Sequence, residues 1–133
     1  MSKVQRPVVN FSELELARDE KKELYFQFLE VDSMRCGIYS LPAGSVDPQQ
    51  PHLQDEVYFV QSGEAKIDIE GTSYDVRPGS IVFVPAHAEH RFHGIKEDLK
   101  VLVIFSKYKP TPETKSKLQP PPEIKTQKKP PYL

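Results

Sequence analysis

Gly44-Ser45-Val46-Asp47-Pro48-Gln49-Gln50-Pro51-His52-Leu53-Gln54-Asp55-Glu56-Val57-Tyr58-Phe59-Val60-Gln61-Ser62-Gly63 is the stretch on which the fold is decided. It opens and closes on glycine, sets a histidine and a glutamate four positions apart, and then runs into branched and aromatic residues. On an extended backbone, residues of equal parity face one side, so Gln50, His52, Glu56 and Tyr58 share a face, while Asp55 points away. A second stretch, Gly79-Ser80-Ile81-Val82-Phe83-Val84-Pro85-Ala86-His87-Ala88-Glu89-His90, has related logic. Apolar residues lead up to Pro85, the chain turns, and His90 begins a new strand. Every histidine of the chain (His52, His87, His90 and His93) falls in or beside these two stretches.

Working outward, residues 23–106 carry period-two patterning and β-branched runs. Strands are expected at Leu24–Leu29, Arg35–Leu41, Glu56–Gln61, Ala65–Glu70, Ser73–Val76, Ile81–Val84, His90–His93 and Lys100–Ser106. Turns are expected at Pro42-Ala43-Gly44, Ser62-Gly63, Glu70-Gly71, Arg77-Pro78-Gly79 and Lys96-Glu97-Asp98. Short strands at such spacing, with no helical pattern between them, predict an all-β sandwich or barrel. Before them, residues 1–22 form an arm with one short helix. In this reading Ser12 is the cap, Glu15 its capping-box partner, and Phe11 staples to Leu16.

Residues 107–133 separate by composition. Seven of the thirteen prolines lie there, and seven lysines stand against two glutamates. Few apolar residues accompany them, so a disordered tail with local polyproline character is expected. The first 106 residues then hold eleven basic and seventeen acidic side chains, an acidic body that speaks against nucleic-acid binding. No apolar run approaches the ~20 residues of a membrane-spanning helix, and the N-terminal residues carry no signal-peptide pattern, so a cytoplasmic protein is expected. The lone Cys36, with the β-branched and aromatic Ile38 and Tyr39 close by, reads as a small buried hydrophobe rather than a nucleophile.

The two quoted stretches resemble the paired motifs of the cupin superfamily, G-x5-H-x-H-x3/4-E-x6-G and G-x5-P-x-G-x2-H-x3-N. Gly44, His52, Glu56 and Gly63 match the first, and Gly79, Pro85 and His90 match the second, across most of residues 24–106. The resemblance implies a double-stranded β-helix, that is, a jelly-roll barrel. It also implies a divalent metal (Fe, Zn, Mn or Ni) held inside by His52, Glu56 and His90. Gln50 stands where the family has a further histidine, and is the fourth, weaker candidate ligand. His87 replaces the motif's second glycine and Gly94 its asparagine.

Two histidines and a carboxylate with open positions form the ligand type of non-haem iron oxygenases, and equally suit zinc or manganese. The expected function is therefore chemistry on a small organic molecule, dioxygenase- or isomerase-like. The alternative is a non-catalytic module that binds a small ligand or a metal. Exposed strand edges and the habit of small cupins predict a homodimer. His87 and His93 are weaker candidates for catalysis or substrate contact. Tyr58 is read as core packing.

Overall fold

The computed structural model describes residues 6–48 and 51–107. Gln50 and the C-terminal segment from residue 108 therefore lie outside the described residues. One helix precedes six strands: α1 (Phe11–Lys21), β1 (Tyr25–Glu30), β2 (Met34–Leu41), β3 (Glu56–Ile69), β4 (Thr72–Val76), β5 (Ile81–Val84) and β6 (His90–Ser106).

The helix starts two residues earlier than the Ser12 cap would require. Asn10 is the N-cap, and its backbone N–H donates to the Glu13 carboxylate at 3.0 Å. Asparagine caps as well as serine does, and Glu13 stands three positions beyond Asn10, as a capping box needs. Arg6 reinforces Glu13 at 3.0 Å. Glu15, freed from capping, pairs with Lys100 at 3.0 Å and ties the helix to β6. Leu14 is the residue the helix buries, whereas Leu16 is exposed and makes no staple.

The strands form one antiparallel sheet in the order β1-β2-β6-β3-β4, with β5 pairing the first half of β3. Eight expected strands become six because two expected turns are not chain reversals. Residues 56–61 and 65–69 belong to the single strand β3, and residues 90–93 and 100–106 to the single strand β6. Gly63 shows why. Its φ of +97° bends β3 without ending it, and the β3–β6 register slips between Val60 and Lys66. Such bulges sharpen twist and let a sheet turn a corner. A side chain could not sit there, since a Cβ on Gly63 would lie 2.3 Å from the Asp98 carbonyl oxygen. By contrast, Glu70-Gly71 does reverse the chain, with both residues at positive φ, as a two-residue hairpin demands.

Bending lets β3 work twice. Its first half lies between β5 and β6, its second between β4 and β6. The sheet thereby curls around one apolar interior built from Leu41, Tyr58, Val60, Ile67, Phe92, Leu99 and Val101 among others. Residues with the parity of Glu56, namely Tyr58 and Val60, point into that interior. Parity within β3 thus puts a carboxylate inside a mostly apolar barrel.

Candidate metal centre

Three side chains from distant parts of the chain meet inside the barrel. Glu56 opens β3, His90 opens β6, and His52 comes from the connection after β2. One potential ligand atom from each lies within 4.8 Å of the other two. A coordination sphere of about 2.0–2.2 Å radius places ligand atoms at most about 4.4 Å apart, so a small side-chain adjustment closes the set.

His52 does not ride on a strand. Residues 51–55 are irregular, and the shared parity of His52 and Glu56 is not what unites them. Backbone pins do that instead. The His87 N–H donates to the His52 carbonyl at 2.7 Å, and the Ala86 N–H to the Asp55 carboxylate at 2.9 Å. The Ser106 N–H donates to the Asp55 carbonyl at 3.0 Å. Asp55 therefore faces away from the ligand set, as expected, and fastens the His52 segment to the turn before β6. His87 is exposed with φ of +70°, a conformation natural to glycine, which accounts for the glycine of the cupin motif at this position.

Upstream, Asp47 is fully buried. It accepts hydrogen bonds from the Tyr39 hydroxyl and from the Phe92 N–H, the latter at 2.9 Å. These bonds anchor the segment leading to His52 across β2 and β6. Burial, with the Asp47 carboxylate beside it, pushes the Tyr39 hydroxyl far above its usual range.

Polar accounting distinguishes this cluster from a set of core hydrogen bonds. The Nδ1 of His90 faces the Ala88 carbonyl at 2.9 Å, so the ring donates there and turns Nε2 inward. That Nε2 lies 3.4 Å from Glu56 Oε1, an ion-pair distance without hydrogen-bond geometry. Both Glu56 oxygens and His90 Nε2 are buried with no hydrogen-bond partner among the described residues. Orphaned atoms of this kind are rare in folded proteins, and a cation is what two imidazoles and a carboxylate converging on one point would satisfy.

The two imidazoles titrate in opposite directions. Burial opposes charge on His90, but the Glu56 carboxylate and the Ala88 carbonyl outweigh it and raise its pKa above the ordinary value. Burial lowers that of His52, more than Glu56 can offset.

A cavity of about 250 Å³ adjoins His52 and Glu56, walled by Tyr25, Arg35, Tyr39, Val103 and Phe105. No motif marks Tyr25, Arg35 or Asp47: strand register brings in the first two, and hydrogen bonds from Tyr39 and Phe92 hold the third. His93 is elsewhere, bonded to Asp68 at 2.8 Å and to Ser73 at 3.2 Å. Tyr58 packs in the core against Phe92, with its ring centroid 6.2 Å from that of His90. Cys36 is buried and free, and burial raises its thiol pKa. Among the described residues no helix is long and apolar enough to cross a membrane.

Comparison with known proteins agrees with this architecture. An uncharacterised protein of Streptomyces coelicolor is 51% identical over 94 residues, covering 71% of this chain and 90% of its own. A cupin superfamily protein of Desulfitobacterium hafniense superposes with a TM-score of 0.57 at 26% identity, over 62% of this chain and 75% of the other. The DMSP lyase DddQ of Ruegeria pomeroyi superposes at 0.57 with 24% identity, over 74% of this chain and 54% of the lyase. Residues 37–105 match the sequence profile of the cupin domain. With that profile spanning half of its length and both motifs seated in one barrel, this chain belongs to the cupin family.

Proposed function

We propose that this cupin binds one divalent metal ion through His52, Glu56 and His90 and acts with it on a small organic molecule. The observation that carries the reading is the set of buried, unpartnered ligand atoms: both Glu56 oxygens and His90 Nε2, with His52 beside them. When bound, such an ion supplies Lewis acidity and coordination positions open to substrate. The chain itself supplies orientation. The Ala88 carbonyl holds the His90 tautomer, an outer contact of the kind that commonly sharpens metal affinity. Val103 and Phe105 line the adjoining cavity with hydrocarbon, which strengthens charge interactions beside them. Gln50 would be a fourth, neutral ligand. The DMSP lyase shares the fold, and fold alone does not select the reaction, which we place among dioxygenase-like and isomerase-like chemistries. Iron, zinc, manganese and nickel all suit this ligand set. Pairing of the exposed edges β1 or β4 between two copies would give a homodimer.

Elemental analysis of protein purified without added ions tests the centre. About one metal per chain is expected, with most of it lost in His52→Ala and little lost in His87→Ala. Equal metal content in the two variants would place the site elsewhere. A screen of small organic substrates, with and without oxygen, would then separate the two reaction classes.

A further inference from the structure

The cavity wall opposite Glu56 contains two more polar groups that the fold leaves unused. Arg35, Phe105 and Glu56 occupy one row across the adjacent strands β2, β6 and β3. Partners in register face the same side, and two strand spacings separate Arg35 from Glu56 by roughly 10 Å between Cα atoms. The Arg35 guanidinium lies 4.2 Å over the Phe105 ring and lines the cavity. Among the described residues it makes no hydrogen bond or ion pair. Its neighbour across β1, Glu30, is taken by Lys107 at 2.9 Å.

Tyr25 supplies the second group. Its ring lies across β2 directly over Gly37, where a Cβ would meet the phenol at 2.4 Å. The glycine therefore makes the space through which Tyr25 reaches the cavity. Its hydroxyl is buried with no hydrogen-bond partner. Burial holds the phenol protonated, at a pKa of about 12, so it stays a donor at neutral pH.

We propose that this cavity binds the carboxylate of a small organic anion, with the Arg35 guanidinium and the Tyr25 hydroxyl as its receptor. The inference rests on the metal centre proposed above, because an ion at the triad leaves the cavity with net positive charge on two sides. The planar fork of arginine matches a carboxylate edge, and one guanidinium balances one negative charge. A phosphate group spreads its charge over three oxygens, one of which would lie against the hydrocarbon of Val103 and Phe105 rather than on the planar Arg35 fork. At about 250 Å³ the cavity lies below the ~300 Å³ at which pockets for drug-sized ligands begin, so the anion is small.

Saturation-transfer NMR on the full chain with saturating Zn²⁺ tests this. The probes are short carboxylates from acetate to glutarate, each beside its neutral amide, and methylphosphonate. At least one carboxylate should bind, with affinity falling about tenfold in Arg35→Met and several-fold in Tyr25→Phe. Its amide should not bind, and Zn²⁺ affinity should be unchanged in both variants. Methionine retains the apolar stem over Phe105, so a merely structural role for Arg35 would leave carboxylate affinity intact. Three results would overturn the proposal: carboxylate binding indifferent to Arg35→Met, no binding by any carboxylate of the series, or tighter binding of methylphosphonate. Repeating the titration without Zn²⁺ separates the two readings. Arg35-dependent carboxylate binding in a protein that takes up no Zn²⁺ would support the receptor and remove the metal centre alone.

Discussion

Glu56 carries its carboxylate to a point where side-chain exposure is 1% and neither oxygen accepts a hydrogen bond. A buried carboxylate in that state is costly to fold around, and a bound cation removes the cost. Glu56→Gln should therefore separate two quantities that usually move together. Metal affinity should fall about 100-fold or more, while the metal-free protein keeps or gains melting temperature; calorimetry of both forms checks it. The histidines set the acid response. The metal-free fold holds protonated His90 against Glu56, a stabilisation complete below the unfolded-state pKa of about 6.5 and lost as pH rises through the higher folded value. His52 acts in the opposite sense: its depressed pKa costs stability as pH falls below about 6.5. Protons compete with the metal for His90, so Zn²⁺ affinity should begin to decline while the pH is still above 6.5, and a pH series of titrations measures this. At this scale the sequence was a good guide wherever a motif existed. The resemblance to the cupin motifs singles out His52, Glu56 and His90, and residue parity gives the outward turn of Asp55. Arg35 and Tyr25 are marked by neither. They lie 17 and 31 positions before the residues His52 and Glu56 with which they share a cavity, and only strand register joins them.

Among the elements, β3 and β6 matter most, because their bends place both ends of each strand on the same interior. Gly63→Ala should be severe. A Cβ there meets the Asp98 carbonyl, and the residue must also hold a left-handed φ. A loss of about 3 kcal/mol is expected from the combined overlap and backbone terms, read from denaturant unfolding. The same glycine explains why Ser62-Gly63 reads as a hairpin. A glycine between two alternating apolar runs marks a reversal or a bulge with equal local logic, and only the long partner strand decides between them. Helix α1 teaches a smaller version of this lesson. Asn10 with Glu13 and Ser12 with Glu15 are equally good capping boxes by spacing, and the ion pair of Glu15 with Lys100 favours the first.

At the scale of the whole molecule, the described strands of the barrel end at Ser106. Removing the residues after Lys109 should leave melting temperature and metal affinity nearly unchanged, because a segment so rich in proline and lysine offers little apolar surface to bury. A thermal scan of the shortened chain, with and without Zn²⁺, measures both. A metal held by His52, Glu56 and His90 would bind the folded chain in preference to the unfolded one, so added metal should raise the melting temperature with concentration and a chelator should reverse the rise.

The position of β6 in the sheet has a consequence for how the molecule is made. Its residues up to Ser106 pair with β2 from Met34 onward and with β3 from Glu56 onward, so the last of the described strands to be synthesised is the central one. Until it leaves the ribosome, β2 and β3 each present an unpaired edge, and His90 has not yet met Glu56. The barrel must therefore stay open until β6 is made, and its closure is a late event in which β6 joins β2 to β3. Proteins dominated by such distant pairings fold in milliseconds to seconds rather than microseconds, and their unfinished forms aggregate. A stop codon anywhere within β6 should thus yield insoluble protein, whereas one placed just beyond it should not.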